Sequence, residues 1–550
     1  MAAITVVALG AVLIGGGVLV HGELDRPAPT VALGAPRFID ETVPAGIDHV
    51  YAGDFPYSVG GGVAVLDCMG DGRPDLYIAG GSGPAVLYRN DSPVGGSLRF
   101  TKVADPVTDL TGVTGAYPID VDGDGKVDLM VLRDGGVVAL RGLGGCRFES
   151  ANASWGLDDG HSLTTAFSAT WEGSATLPTL AIGSYVANAD VPDPNHLCAD
   201  NELVRPVAGT QRYGAPMPLT PSWCALSMLF SDWDGSGRQD LRFSNDRHYY
   251  SDLSDGQEQL WRIAPGAAPR EYTAEDGWVS VRLQGMGIAS YDVNGTGYPE
   301  AYLTSQGANV LQSLLAGPSQ PTFRDLALKL GVLATQPSTG GDPLPSTSWH
   351  PEFQDVNNDG FIDLFVSKGN VDQQPDYATK DPSDLFLGQP DGTFVQVADA
   401  AGIVDFARGR GAALADFNLD GLPDLVEVFY DAPVRVWRNT GVAGDTAAPA
   451  APGHWLDLRP TQPGPNRDAV GSWIEVQAGG LTLRREVTIG GGHISGQLGW
   501  QHFGLGPATS ARVRVTWPDG EVGPWVDALS DEFAVIDRAT GQAVPWPSPK

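Results

Sequence analysis

The sequence predicts an all-β chain, a seven-bladed β-propeller followed by a small C-terminal β domain. Three observations lead there: an acidic loop recurs at a near-constant interval, short apolar segments flank each copy, and the rhythm stops after residue 441. With 72 Gly and 42 Pro in 550 residues and 18% charged residues, the composition suits short strands and tight turns.

The most complete loop runs from Asp355 through Asn357, Asp359, Gly360 and Asp363, in the pattern D-x-[DN]-x-D-G-x-x-D. Oxygens at positions one, three and five converge when the chain curls. Glycine at six permits the turn, and a carboxylate at nine closes the cage. Hard oxygen ligands in a flexible shell of that kind suit calcium. An EF-hand would need its bidentate Glu at position twelve, where Val366 stands, and helical flanks instead of Leu364-Phe365-Val366-Ser367.

Asp120, Asp122, Asp124, Gly125 and Asp128 fit every position, as do Asp416, Asn418, Asp420, Gly421 and Asp424. In the three full matches the carbonyls of Lys126, Phe361 and Leu422 are expected as the seventh-position ligands. Asp232, Asp234, Ser236 and Asp240 put a hydroxyl at position five, and Asp292, Asn294, Thr296 and Glu300 form a weaker copy. The loop of Asp67, Asp71 and Asp75 carries Met69 where a ligand belongs. Glu427 does stand at position twelve of the loop from Asp416, but strand-like segments flank that loop as well.

Starts at 67, 120, 232, 292, 355 and 416 leave gaps of 53, 112, 60, 63 and 61. The long gap holds two units, with a decayed loop at Thr170-Trp171-Glu172-Gly173-Ser174. Seven units of about 50 to 60 residues fit four-stranded blades closed in a ring. The last unit lacks an outer strand, and Arg37-Phe38-Ile39-Asp40-Glu41-Thr42 is expected to supply it, covering a sheet edge.

The loops, with lead-ins such as Gly61-Gly62-Val63-Ala64-Val65-Leu66, resemble FG-GAP/VCBS repeats, the blades of integrin-α-type propellers. Segments such as Val436-Trp437-Arg438-Asn439 are similar to the cartilage acidic protein (ASPIC/UnbV) family. So are His454-Trp455-Leu456, Asn466-Arg467-Asp468, Arg485-Glu486-Val487 and His502-Phe503-Gly504-Leu505-Gly506. The resemblance covers about residues 36 to 540 and implies a propeller over 36–441 and an ASPIC/UnbV-like β domain over 453–540, with 442–452 a Pro/Ala/Gly linker.

Residues 1–22 read as a signal peptide or a membrane anchor, and 23–35 as a linker; either reading exports the protein, secreted or membrane-anchored. Cys198 and Cys224 bracket a Pro-rich insertion and are expected to pair there, while Cys68 and Cys146 fit buried thiols, and no spacing argument decides whether they pair. The run Asn245 to Tyr250 mixes amide, charged and aromatic groups, as a ligand-facing surface or an ordinary strand and turn would. A net charge of −32 argues against nucleic acid.

No G-x-S-x-G, H-E-x-x-H or Walker loop occurs, and His454, His493 and His502 lie in a β module where structural roles are expected. The resulting expectation is a non-enzymatic, extracytoplasmic module holding several Ca2+ ions and binding an extracellular protein or glycan. The alternative is a propeller hydrolase or lyase acting on polysaccharide. A pocket joining carboxylates outside the acidic loops, beside exposed aromatics, would favour the enzyme.

Overall fold

The computed structural model describes residues 32–547, apart from 159, 188–197, 247–255, 280, 316 and 443–451. The segment read as signal or anchor, most of the linker before residue 452, and Arg247 to Tyr250 therefore lie outside the described residues. No described helix is long and apolar enough to cross a membrane.

Every acidic loop joins the first two strands of an antiparallel sheet. The sheet around the loop from Asp355 shows the plan: Ser348–Gln354, Asp363–Lys368, Asp384–Gly388 and Phe394–Gln396 pair in sequence order. Each strand lies beside the one before it, so the pairing needs only short turns. Asp363 to Lys368 is buried throughout, as expected of a Leu-Phe-Val strand covered on both faces. Among the described residues, seven such sheets occupy the stretch up to Val442 and two four-stranded sheets follow it. The first strand of each of the seven packs against that of the next, and Arg408–Ala415 packs against Val63–Leu66.

The decayed loop at Thr170 does join two strands, Thr164–Thr170 and Thr179–Ser184. Pro36–Asp40 pairs antiparallel with Arg435–Val442, Phe38 opposite Asn439 and Asp40 opposite Trp437, so the N-terminal segment is the outer strand of the last sheet. Cys198 and Cys224 are bonded. Cys68 and Cys146 are bonded too and are not free thiols, the alternative that spacing leaves open. Their loops belong to neighbouring sheets 78 residues apart in sequence, and the Cys146 N–H donates to the Cys68 carbonyl at 2.9 Å.

The C-terminal domain is not a separate bead. Its residues 489–497 run between the first strands of the sheets, bridging Val65, Ala116, Ala169, Leu229 and Ile288. Gly62 and Gly115 make room: a Cβ there would lie 1.7 and 2.1 Å from the Ile494 carbonyl oxygen. Gly490, Gly491 and Gly492 take φ of +130°, +72° and +57°, which side chains disfavour. His493 ends fully buried, its ring 4.9 Å from that of Trp349, and the Arg410 guanidinium lies 4.2 Å from the same indole. Burial holds the His493 pKa well below its ordinary value, so the imidazole is neutral.

Candidate functional site

Each acidic loop is curled by its own first carboxylate. The glycine N–H at position six donates to it: Gly125 to Asp120 at 2.9 Å, Gly237 to Asp232 at 2.9 Å, Gly297 to Asp292 at 2.9 Å, Gly360 to Asp355 at 2.8 Å and Gly421 to Asp416 at 2.6 Å. These glycines have φ between +77° and +88°, the left-handed turn the pattern requires.

The ninth-position carboxylate ties the loop to its sheet. Asp363 accepts from Val356 N at 2.9 Å and from Gly388 N at 2.9 Å, on the third strand. Asp128 accepts from Val121 and Gly142, Asp424 from Phe417 and Asn439, and Asp75 from Cys68 and Asn90. Asp240 reaches Ile263 N and the Trp233 indole, and Glu300 reaches Val293 N. This strap gives position nine work that spacing alone does not reveal.

Which oxygens stay open for a cation differs between loops. Ligand atoms of Asp120, Asp122 and Asp124 lie within 4.8 Å of one another, and Asp120 Oδ1 is buried without a hydrogen-bond partner. Asn418 Oδ1 is likewise buried and unpartnered. Asn357 and Asn418 each donate Nδ2 to the carboxylate at position five, Asp359 at 3.1 Å and Asp420 at 3.0 Å. Lys126, Phe361 and Leu422 give their N–H groups to the same position, Asp124, Asp359 and Asp420. Ser236 N donates to Asp234 and Thr296 N to Asn294. Basic side chains reach four loops: Arg141 contacts Asp122 at 2.5 Å and Asp124 at 2.9 Å, Arg238 contacts Asp234, Arg484 contacts Asp292, and Arg73 contacts Asp71.

Crowded, buried carboxylates hold protons tightly. Burial first, then nearby carboxylates, pushes Asp128 up to about 8 and Asp120 up to about 7, the latter through Asp468 above all. Burial and Glu486 push Asp232 up to about 8, and burial raises Glu300 to about 7. Asp355, Asp363, Asp416 and Asp424 are all raised well above the carboxylate range, by burial first and then by neighbouring carboxylates, Asp359 beside Asp355, Asp355 beside Asp363, and Asp420 beside Asp416 and Asp424. A divalent cation would relieve that repulsion.

The C-terminal domain covers this face. Gly506 N donates to the Asn358 carbonyl at 2.9 Å, and His502 bridges Asn358 Oδ1 at 2.7 Å and Asp457 at 3.1 Å. Trp500 Nε1 donates to the Gly72 carbonyl, and Glu486 accepts from Ser231 and from Asp232 N. Trp455 lies so close to Gly421 that a Cβ there would be 1.9 Å from its ring. Between this cover and the sheets lies a cavity of about 190 Å³, lined by Glu352, Gln354, Asp457, Arg459, Arg485 and Trp500 among others. Spacing did not point to these residues, because the lining comes from two domains.

Residues 67–166 and 355–427 match the FG-GAP-like repeat family, and residues 462–542 match the ASPIC and UnbV family. Cartilage acidic protein 1 of Xenopus tropicalis is 25% identical over 224 residues, 40% of this chain and 33% of that protein. The Homo sapiens protein of the same name is 26% identical over 226 residues, 40% of this chain and 32% of it. The matched stretch spans about a third of the length of these curated relatives. Among solved structures, the extracellular domain of a putative hybrid two-component system from B. thetaiotaomicron is similar at a TM-score of 0.39 and 8% identity, over 92% of this chain and 60% of that one. The repeats, the C-terminal match and the curated relatives together place the chain among FG-GAP-repeat proteins carrying an ASPIC/UnbV domain.

Proposed function

We propose that this protein is a calcium-stabilised, extracytoplasmic seven-bladed β-propeller, lidded by its ASPIC/UnbV domain and serving as an interaction module for a protein or glycan ligand. The seven sheets and the cyclic packing of their first strands support the propeller. Two disulfides support an oxidising compartment. The observation that carries the calcium reading is Asp120 Oδ1, a buried carboxylate oxygen without a partner, beside Asp122 and Asp124. Buried polar atoms are nearly always satisfied, and a cation at the centre of this curl would satisfy this one.

Held there, calcium is structural, because the loops join strands within a sheet. Asp120, Asp122, Asp124 and the Lys126 carbonyl would hold one ion, and the loops from Asp355 and Asp416 one each. The loops from Asp232 and Asp292 are weaker candidates. The alternative of a polysaccharide hydrolase or lyase would need free carboxylates in the cavity. Glu352 accepts from Leu414 N and Gln497, Asp457 pairs with His502, and Glu486 accepts from Ser231, Asp232 N and Gln239, so each has positioning work.

Elemental analysis of protein purified in calcium should find about three ions, and chelation should lower the melting temperature. At ten times the dissociation constant each site adds about 1.4 kcal/mol. Unchanged melting in chelator would reduce the acidic loops to hydrogen-bonded turns.

A further inference from the structure

We infer that the cavity between the ASPIC/UnbV domain and the sheets is a binding site for a small acidic sugar, held through its carboxylate by Arg459 and Arg485. This rests on the reading of the protein as an interaction module and names both a site and a ligand class for it.

The inference comes from an imbalance of partners. The chain carries a net charge of −32, so a basic side chain has abundant carboxylates to pair with. Yet two guanidiniums line this cavity with no ion-pair partner among the described residues. The Arg459 side chain makes no hydrogen bond among the described residues; its Nε is buried and unpartnered, and its guanidinium carbon lies 4.8 Å from the centre of the Trp500 ring. Arg485 gives Nη2 to the Phe353 carbonyl at 3.1 Å and to Gln354 Oε1 at 2.9 Å, both uncharged, and its Nε too is buried without a partner. Five carboxylates line the cavity, and each is engaged elsewhere: Glu352 accepts from Leu414 N and Gln497, Asp457 pairs with His502, Glu486 accepts from Ser231 and Asp232 N, Asp67 from the Gly70 and Gly72 N–H groups, and Asp416 from those of Asp420 and Gly421. A buried guanidinium N–H left without an acceptor is costly even where carboxylates such as Asp468 and Asp457 lie nearby, and a planar guanidinium matches a planar oxyanion in geometry.

The rest of the lining suits a hydroxylated ring. Trp500 is a fixed wall, its Nε1 bonded to the Gly72 carbonyl at 3.0 Å and its ring packed 5.0 Å from Phe533. Gln354 Oε1 and Gln501 Nε2 are bonded within the protein, while Gln354 Nε2 and Gln501 Oε1 have no hydrogen-bond partner among the described residues. A volume of about 190 Å³ is well below the 300–1,000 Å³ of a drug-sized site, which limits the occupant to about one sugar ring.

The test titrates the full chain, in calcium, with glucuronate, glucose and inorganic sulfate by calorimetry. Glucuronate is expected to bind at least tenfold more tightly than glucose, and Arg459→Gln to weaken it by about tenfold or more. That variant should still fold, because the Arg459 side chain makes no hydrogen bond among the described residues and its loss removes only its contact with Trp500 and its attraction to Asp468; its melting is measured alongside. Arg485→Lys, which keeps the charge and loses the planar fork, should weaken glucuronate by a smaller factor. Equal affinity for glucose and glucuronate overturns the proposal. So does sulfate binding as tightly as glucuronate, which would mark an ion site and not a sugar site, and so does an Arg459→Gln variant that binds as well as the parent. Calcium-dependent melting without glucuronate binding would fell this inference and leave the propeller reading standing. Glucuronate binding with melting unchanged by chelator would uphold this inference and fell only the calcium reading of the acidic loops.

Discussion

At Asp120 the acidic loop faces solvent: Asp124, Gly125 and Lys126 are exposed, and Arg141 bridges Asp122 and Asp124. At Asp355 every residue through Gly360 is buried, the Asn358 carbonyl accepts from Gly506 N, and His502 caps the Asn358 side chain. The two loops obey one sequence pattern and share one curl. One is half open to water, with Arg141 on its carboxylates and Pro465 and Arg467 of the C-terminal domain beside its glycines; the other is closed over by that domain. The pattern therefore encodes the turn, and the surroundings decide how much of the molecule depends on it.

The comparison breaks most visibly if the cover is removed. A chain ending at residue 441 would lose the strand-like thread of 489–497 and the cap over the loops from Asp355 and Asp416. Gly62 and Gly115, shaped to admit the Ile494 carbonyl, would face an emptied hub. We expect the truncated protein to melt at least 10 °C lower in scanning calorimetry, or to lose a cooperative transition. Melting as in the full chain would show that the two domains are only neighbours.

The straps come next. Asp363→Ala would leave the Val356 and Gly388 N–H groups buried and unpaired, at about 1–3 kcal/mol each. From spacing alone, the incomplete loop at Asp67 is expected to contribute little, so Asp75→Ala should be the milder change. The structure corrects this, since Asp75 is fully buried and accepts from Cys68 N at 2.9 Å and Asn90 N at 2.7 Å. Both variants should lose about 3 kcal/mol in denaturant unfolding with chelator present. In calcium Asp363→Ala should lose more. A mild Asp75→Ala would show that metal, not the strap, governs position nine.

What the sequence disclosed follows from these examples. The curl and its period are local: Asp355 and Gly360 lie five residues apart, and the strand after them announces itself by apolar composition. The pairing of Phe38 with Asn439 was legible because a missing outer strand leaves a gap with a known shape. The Cys68–Cys146 bond and the thread past Gly62 were not, because residues 78 and about 430 apart meet with no spacing rule to link them. Arg459 and Arg485 gave no signal either. An arginine's lack of a partner is a property of the assembled cavity and not of any segment.

A pH series separates the proton from the cation. Asp75, Asp128 and Asp232 are raised to about 8, and Asp120 and Glu300 to about 7, chiefly by burial. Between their ordinary values near 4 and those raised values, the folded chain keeps protons that the unfolded chain releases. Stability in chelator should therefore fall as pH rises from about 5 to 8. Calcium favours the ionised form, so its stabilising effect should grow over the same window. Melting temperatures at pH 5, 6.5 and 8, with chelator and with calcium, check both slopes. A chelated protein that grows more stable toward pH 8 would contradict the shifts.

The smallest expected effect bears on the solvent-facing loop alone. Arg141 lies 2.5 Å from Asp122 and 2.9 Å from Asp124, and Lys126 lies 3.1 Å from Asp124, where a calcium ion's ligands are proposed. A guanidinium on those oxygens competes with a divalent ion for the same lone pairs. The pairs are partly exposed and salt-screened, each worth about 0–1 kcal/mol. Arg141→Gln should thus change stability in chelator by less than about 1 kcal/mol. It should tighten calcium binding at this loop a few-fold, read as luminescence of terbium substituted for calcium and displaced by it. Neither quantity should change for the loop from Asp355, whose contacts include Leu33, Gly421 and the C-terminal domain and do not involve Arg141. If Arg141→Gln instead weakens calcium binding, the guanidinium orients Asp122 and Asp124 for the ion and does not compete with it. The solvent-facing loop would then need its basic neighbour as much as the buried loop needs its cover.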